Sequence, residues 1–141
     1  MINLNPKIWG PHAWFFIDSL IISLPNNISL NLQNELKHFF ISLSALLPCE
    51  KCRYHFSEYI KKTDIMNINF SSKDRVLKWI NNLHNDVRKR NNSKTINIVN
   101  RVKYYDDIYS SKTQYKDIIY IIIFLIIVGI LIRYFYFGRL Y

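Results

Sequence analysis

The sequence predicts an all-α protein: a four-helix bundle with a short fifth helix, followed by a C-terminal transmembrane helix. Half of the 141 residues are hydrophobic and 16% are aromatic, which provides enough apolar surface to offset the entropy of ordering a compact chain. Only 3 glycines and 4 prolines are present, too few for the many tight turns of a sandwich or barrel. Several segments also repeat their apolar residues at helical spacing.

The first two helices are bounded by prolines. The first is predicted from about Pro11, since proline suits the first turn of a helix, to Leu24, which precedes Pro25. The second begins near Ser29 and ends at Pro48. Its apolar residues recur every three or four positions and comprise Leu32, Leu36, Phe39, Phe40 and Leu43.

Two more helices complete the predicted bundle. A short third helix runs from Cys49 to about Lys61, and the fourth begins at Ser71 or Ser72. Ser71 and Asp74 fit a capping box at its start. Its apolar stripe has the period of an α-helix and comprises Val76, Ile80, Leu83, His84 and Val87. The polar stretch that follows contains hints of a short fifth helix at Tyr104, Tyr105, Ile108 and Tyr109.

The C-terminal part of the chain carries a candidate membrane anchor. Residues 118–132 contain no charged side chain and have no polar face. As a helix this run spans roughly 22 Å, which is short of the ~30 Å hydrocarbon layer. Snorkelling by Lys116 and Arg133 extends it to about twenty residues. A buried core helix is the alternative, but the absence of a polar face favours a membrane span.

The balance of charge is strongly basic. Lysine and arginine number 19 against 10 acidic residues, which gives a formal net charge of +9. Such a charge favours partners that carry phosphate: a membrane surface, a nucleic acid or a cofactor. The densest basic run, residues 88–90, continues the fourth helix, and no recognised nucleic-acid-binding motif accompanies it. We therefore expect no nucleic-acid partner.

The two cysteines, Cys49 and Cys52, form a CxxC motif. A disulfide-stapled secreted fold would need more cysteines, and a structural zinc site would need two more ligands. Pro48 places the motif at a helix start, where unpaired N–H groups and the helix dipole stabilise a thiolate. The motif therefore favours redox chemistry, which requires an electron acceptor that no side chain here supplies. A bound cofactor is implied.

Two other interpretations remain open. In the first, a non-enzymatic zinc-binding membrane adaptor uses the CxxC pair and two of the histidines His12, His38, His55 and His84. In the second, a basic anchor protein binds acidic partners and its CxxC is incidental.

Aromatic and histidine residues are candidates for holding the cofactor. Trp9 and Trp14 flank Gly10 at the head of the first helix, and His55 follows Cys52 by three residues on the same helical face. The fourth helix adds Trp79, His84 and Asn85. Each of these is more often a core residue when considered alone. Together they suit a flat aromatic ring system that is held by stacking.

Three motifs occur in order along the chain: Trp9-Gly10-x-x-x-Trp14, Pro48-Cys49-x-x-Cys52-Arg53-x-His55-Phe56 and Trp79-x-x-x-x-His84-Asn85-x-Val87. In order and spacing they resemble the motifs of the Erv/ALR FAD-linked sulfhydryl oxidases. The likeness covers roughly residues 5–95. It is greatest to the short forms encoded by large cytoplasmic DNA viruses such as iridoviruses.

The resemblance implies a bundle that holds FAD at one end and makes disulfides by passing electrons from dithiols to O₂, with release of hydrogen peroxide. Cys49 would be the outer sulfur, attacked by a substrate thiolate, and Cys52 the inner sulfur beside the flavin. No metal ligand is implied. The residues implied to bind the cofactor are Trp9, Gly10, Trp14, His55, Trp79, His84, Asn85, Val87, Arg88 and Lys94.

The chain departs from the family pattern at a few positions. Asp18 stands where the family usually has a histidine, Arg88 replaces an asparagine, Asn91 replaces a leucine, and the closing lysine is displaced to Lys94. The sequence also lacks the second cysteine pair that cellular relatives often use as a shuttle. We therefore expect a separate electron donor, either thioredoxin-like or a small CxxC protein, and any homodimer to be non-covalent.

These inferences give a domain organisation. Residues 1–95 are predicted to form the FAD-binding oxidase core, and residues 96–114 a short fifth helix and linker. Residues 115–137 form the single-pass anchor, followed by a short tail at residues 138–141. We expect the catalytic domain to face the cytosol, with the anchor in a host-cell or virion membrane.

Overall fold

The computed structural model describes residues 2–137, and it confirms the all-α fold class. In that range every regular element is a helix, and the strand-like pairing is limited to one isolated bridge between Asn27 and Ser72. The elements are α1 (Pro6–Ile22), α2 (Leu30–Leu46), α3 (Glu50–Thr63), a 3₁₀ turn (Ile65–Asn67), α4 (Lys73–Arg90) and α5 (Ile98–Phe137).

Helix α1 begins at Pro6 and not at Pro11, so the predicted start was wrong. Asn5 is the N-cap, and its side chain accepts a hydrogen bond from the Lys7 amide at 3.0 Å. Pro6 then occupies the first helical position, where its missing N–H costs nothing. This pair of start signals precedes Pro11, which is accommodated inside the helix.

Helices α2 and α3 begin where the sequence predicts. Ser29 caps α2 by accepting from the Leu32 amide at 3.4 Å. Cys49 is the N-cap of α3, so the CxxC motif forms the first turn of that helix. Helix α3 ends at Asp64, which adopts a left-handed conformation with φ of 47°.

Helix α4 has no capping box, contrary to the prediction. Ser72 is its N-cap, but it makes no side-chain capping bond. The loop between α1 and α2 pairs with this segment instead: the Lys73 amide donates to Asn26 O at 3.1 Å, and the Ile28 amide donates to Ser71 O at 2.9 Å. Because the loop satisfies the first backbone N–H of the helix, a side-chain cap is not needed there.

The bundle packs α1 against α4 and α2 against α3. Phe40 of α2 is fully buried and contacts Trp79 of α4, with their ring centroids 4.9 Å apart. Burial of an aromatic side chain of this size stabilises the fold by roughly 1.5–3 kcal/mol. The most deeply buried residues are Ile21, Phe40, Phe70, Val76, Ile80 and Leu83.

Helix α5 runs without interruption from Ile98 to Phe137, whereas the sequence predicted a short fifth helix and a separate apolar one. No proline or glycine occurs between residues 98 and 128, so nothing breaks the helix. Its stretch Lys116–Tyr136 is 21 residues long with a mean hydropathy of 2.8, and by length and composition it could cross a membrane. The chain divides into two units after Ile98. The predicted tail, residues 138–141, lies outside the described residues.

Candidate functional site

The CxxC motif is oxidised. Cys49 and Cys52 form a disulfide across the first turn of α3, with Cα atoms 5.1 Å apart. The Cys52 amide donates to Cys49 Sγ at 3.2 Å, and the Arg53 amide donates to Cys49 O at 2.9 Å. The pair thus lies at the helix terminus, where backbone N–H groups and the dipole favour a thiolate once the disulfide is opened.

The two cysteines differ in exposure as whole residues. Cys49 is only 5% exposed, whereas Cys52 is partly exposed. The residue predicted to be the outer sulfur is therefore the more buried of the two. The roles of the two cysteines stay a prediction, but a substrate that attacks Cys49 must first gain access to it.

A short segment before α1, residues 3–5, lies against the CxxC motif; we name it the strap. The Leu4 amide donates to Pro48 O at 2.8 Å, and Asn3 Oδ1 accepts from the Glu50 amide at 3.2 Å. Trp9, predicted to bind the cofactor, donates from its indole N–H to Leu4 O at 3.4 Å. The strap therefore connects the start of α1 to the start of α3.

A surface cleft of about 510 Å³ lies between the strap and the first turns of α3. We name it the strap cleft. Its walls carry one base, one acid, an amide, a phenol and an imidazole. The lining residues are Asn3, Glu50, Lys51, Tyr54 and His55.

His55 is held by an arginine that the sequence analysis did not select. Arg90 Nη1 lies 2.8 Å from His55 Nδ1, and Arg90 Nε binds Asp86 Oδ2 at 2.8 Å. Because a guanidinium can only donate, Nδ1 accepts and the imidazole carries its proton on Nε2. Burial lowers the pKa of His55, and the charges of Arg90 and Lys51 lower it further. The i,i+4 spacing of Asp86 and Arg90 was the one sequence signal for this arrangement.

Trp14 and His84 are brought together, as the sequence predicts for two residues of one site. Their ring centroids are 3.9 Å apart and their planes differ by 2°, so the rings are stacked. The contact joins α1 to α4. Asp18, one turn after Trp14, is buried on the same helix. Flat, parallel rings of this kind provide a surface on which another aromatic system can stack.

Trp79 lies elsewhere, in the core. Its ring contacts Phe40, Tyr59 and Phe70, and its indole N–H donates to Thr63 Oγ1 at 3.3 Å. At about 100° per residue, Trp79 and His84 point about 140° apart around α4. The structure therefore gives Trp79 a packing role, and its predicted cofactor contact stays a prediction. Burial, followed by the charge of Asp86, raises the pKa of Tyr59 to about 12.

Asn85 and Arg88 hold the segment after α4. Asn85 makes a reciprocal pair with Ile96: its amide donates to Ile96 O at 2.9 Å, and its carbonyl oxygen accepts from the Ile96 amide at 2.9 Å. Arg88 Nε donates to Lys94 O at 2.6 Å. Three of the predicted cofactor residues thus lie together, with the partly buried Val87 between Asn85 and Arg88.

A cofactor or metal would have to fit among the predicted site residues described above. At Gly10 an added Cβ would meet nothing within 4 Å, so packing inside the chain does not demand glycine there. Among the described residues, no group of three or more His, Cys, Asp and Glu side chains is placed to hold a metal ion. The zinc interpretation therefore has no ligand set in residues 2–137.

Comparison with known proteins identifies the family. Residues 11–109, which are more than half of the chain, match the Erv1 / Alr family. The chain belongs to the Erv1/Alr family. The resemblance on which the sequence analysis relied is thereby confirmed.

Viral proteins are among the relatives of this Erv1/Alr chain. A protein of Acanthamoeba polyphaga mimivirus, named as an FAD-linked sulfhydryl oxidase, is 29% identical over 84 residues, which cover 60% of this chain and 59% of that protein. A protein of Invertebrate iridescent virus 3 with the same kind of name is 29% identical over 91 residues, covering 64% of this chain and 61% of that protein. The chain thus spans about three fifths of the length of these relatives.

The fold agrees with that of a solved Erv1 structure. The FAD binding domain of Erv1 from Saccharomyces cerevisiae aligns with a TM-score of 0.67 at 22% identity, covering 74% of this chain and 97% of that domain. At that level of identity the likeness shows the fold alone. It confirms that the four-helix body is an Erv1-like helical fold.

Proposed function

We propose that this Erv1/Alr chain is an FAD-dependent thiol oxidase that forms disulfides by oxidising dithiols and transfers their electrons to O₂, with release of hydrogen peroxide. The observation that carries the proposal is the Cys49–Cys52 disulfide at the first turn of α3. Relatives named as FAD-linked sulfhydryl oxidases support it.

The residues present fit FAD. The stacked rings of Trp14 and His84 provide a flat aromatic surface, and the open space at Gly10 permits close approach of a ligand. The cations Arg88 and Lys94 suit a pyrophosphate. These residues, together with Trp9, His55, Trp79, Asn85 and Val87, are the ones that we propose to hold the cofactor.

The chain's own chemistry is a thiol–disulfide exchange. A substrate thiolate attacks Cys49 Sγ, forming a mixed disulfide and releasing Cys52 Sγ as a thiolate. The second substrate thiol, after losing its proton, attacks the substrate sulfur of that mixed disulfide. The substrate leaves oxidised, and Cys49 and Cys52 remain as a reduced pair. One electron pair has thus moved from the substrate to the enzyme.

The position of Cys52 favours its role as the leaving group. It is the third helical residue of α3, where backbone N–H groups and the positive end of the dipole stabilise a negative sulfur. The neighbouring cation Lys51 adds to this stabilisation. FAD, when bound, would supply the redox chemistry that links the reduced cysteines to O₂.

A separate protein dithiol, thioredoxin-like or a small CxxC protein, is the electron donor that we propose. The sequence holds 2 cysteines, and both are in the active disulfide, so no shuttle pair exists within it. Helix α1 also exposes Ile8 and Phe16, the latter by 59%, and these apolar side chains support a non-covalent homodimer.

A membrane anchor completes the proposal. We assign the apolar stretch Lys116–Tyr136 of α5 as a single-pass span of a host-cell or virion membrane. Lys116 and Arg133 are placed to reach the two interfaces. Residues 2–98 then lie on the cytosolic side. Cellular reductants keep ordinary cytosolic thiols reduced, so an oxidase on that side suits a virus that assembles in the cytoplasm.

Purification of the full chain tests the proposed activity. The expected preparation is yellow, with flavin absorbance that dithiothreitol bleaches without oxygen and that air restores with formation of hydrogen peroxide. A colourless protein that carries stoichiometric zinc would overturn the oxidase in favour of the zinc adaptor. Protease protection of residues 2–98 in intact vesicles tests the topology independently.

A further inference from the structure

We propose that the strap, residues 3–5, covers the sulfur of Cys49 and determines which dithiols can reach it. The inference rests on the proposed function, in which the substrate thiolate attacks Cys49. It assigns Asn3 and Leu4 as specificity-determining residues, although neither belongs to any motif in the sequence.

The strap holds the backbone on both sides of Cys49. Leu4 binds the carbonyl of Pro48, the residue before it, and Asn3 binds the amide of Glu50, the residue after it. Cys49 therefore lies in the middle of a three-residue stretch that is hydrogen-bonded to the strap at both ends. Cys49 itself is only 5% exposed.

The other end of the strap is fixed to α1. Asn5 caps that helix through the Lys7 amide at 3.0 Å, and the Trp9 indole donates to Leu4 O at 3.4 Å. The contacts to α3 are two hydrogen bonds near solvent, and such bonds break in local opening without unfolding of the core. The strap can thus swing away from α3 while α1 stays in place.

Access differs with the size of the substrate. To displace the sulfur of Cys52, a thiolate must approach Cys49 Sγ, and an exposed fraction of 5% leaves no room for a polypeptide. A small dithiol needs a slight opening, whereas a protein dithiol has to replace the strap. The strap cleft lies beside this stretch, and its wall includes Glu50 and Lys51, the two residues that follow Cys49.

Alkylation of the reduced full-length chain measures this cover directly. Trypsin cleaves after Lys51, so it separates Cys49 from Cys52 and mass spectrometry reports each thiol by itself. The rate is followed over a pH series, because the limiting rate at high pH reflects access and not the pKa of the thiol. The measurement requires neither turnover nor FAD.

Asn3→Ala removes the acceptor for the Glu50 amide. Loss of one hydrogen bond changes an opening equilibrium by about fivefold, so we expect Cys49 to be alkylated about five times faster at the limiting rate. Asn69→Ala is the matched control, since Asn69 Oδ1 accepts from the Ser71 amide at 2.9 Å outside the strap. It should leave the Cys49 rate unchanged.

Asn3→Asp keeps the acceptor and adds a charge that binds a helix N-terminus more strongly, so its limiting rate should fall below that of the wild type. Equal limiting rates in the wild type, Asn3→Ala and Asn3→Asp would overturn the proposal. So would an acceleration of equal size in Asn69→Ala, because it would indicate general loosening of the fold.

Turnover measurements distinguish failure of the strap proposal from failure of the proposed function. Asn3→Ala should raise kcat/KM for a reduced CxxC protein several-fold more than kcat/KM for dithiothreitol. If Asn3→Ala speeds the alkylation of Cys49 but leaves the ratio of the two kcat/KM values unchanged, the strap does not select between substrates. If no variant or wild-type enzyme oxidises any dithiol, the proposed function fails while the alkylation result still tests the cover.

Discussion

Cys49 and Cys52 are equivalent as partners in the disulfide, but their surroundings differ. Cys49 caps α3 and is buried, whereas Cys52 is partly exposed and lies at the third helical position. Cys52→Ser should abolish turnover and any long-wavelength thiolate–flavin absorbance while FAD stays bound. Cys49→Ser should also stop turnover but leave the Cys52 thiolate to produce that band. Absorption spectra of the two variants that show the opposite pattern would exchange the two roles.

His55 makes the stability of the fold depend on pH. Its native pKa lies below 6.5, the ordinary value, because burial, Arg90 and Lys51 lower it more than Asp86 and Glu58 raise it. The unfolded chain therefore binds a proton at His55 more readily than the native chain does. As a result, the free energy of unfolding falls as the pH drops below about 6.5. In His55→Gln this fall should be smaller, as measured by denaturant unfolding at about pH 7.5 and about pH 5.5.

Arg90→Gln tests the contribution of the arginine to this pH dependence of stability. It removes the nearby charge, so the native pKa of His55 should rise toward its ordinary value. The pH dependence should shrink, but by less than in His55→Gln, because burial, the larger cause of the lowered pKa, remains. If both variants lose stability with acid as steeply as the wild type, the His55–Arg90 contact does not control the titration.

Sequence reasoning at the level of residues grouped side chains by motif and not by their being neighbours along one helix. The pairing of Trp14 with His84 agrees with their predicted membership of one site. It could not separate Trp79 from His84, since the partners of Trp79 come from three other segments. It also missed Asn3, which binds Glu50 across 47 residues of sequence.

Helix α2 shows how burial divides one element into a core face and a solvent face. Leu36 is 4% exposed, and Leu30 on the same helix is 72% exposed. Leu36→Ala should lower the free energy of unfolding by about 2–5 kcal/mol, because it removes buried apolar surface and leaves a cavity. Leu30→Ala is the matched control and should stay within about 0.5 kcal/mol. Equal losses of unfolding free energy in the two variants, measured by chemical denaturation, would contradict this packing.

The starts of the helices show which signals the sequence carries. Ser29 and Cys49 act locally as caps, so α2 and α3 were predicted at the right place. The start of α4 was also predicted at the right place, but pairing with Asn26 and Ile28 stands there instead of the predicted capping box, and no local pattern reveals that pairing. Helix α5 is continuous because no proline or glycine interrupts it between residues 98 and 128. The sequence predicted two helices there because the composition changes from polar to apolar.

At the scale of the whole molecule, a basic chain of net charge +9 combines the oxidase fold with an apolar helical stretch. Replacing both Ile122 and Ile126 by lysine should release the chain from membranes, since each lysine near the centre of a span costs roughly 2.5–3.5 kcal/mol. The measurement is the fraction of chain that stays with vesicles after an alkaline wash. Replacing both residues by leucine is the control and should change nothing. Retention of the lysine variant would show that this stretch is not the anchor.

The order of three motifs was sufficient to predict the family and the fold class. Each motif joins a residue type to a helix position, and such local information is present in a single sequence. The strap and the His55–Arg90 contact depend on how segments meet in space, so they required the structure.

In the proposed function, the Cys49–Cys52 disulfide carries electrons from a dithiol to FAD. Anaerobic titration of the purified full chain with dithiothreitol tests it most directly, with flavin absorbance followed during rapid mixing. We expect the wild type to take up one electron pair for the disulfide and one for the flavin. The flavin of Cys49→Ser and of Cys52→Ser should not be reduced on the same timescale. Flavin reduction at the wild-type rate in both variants would contradict it.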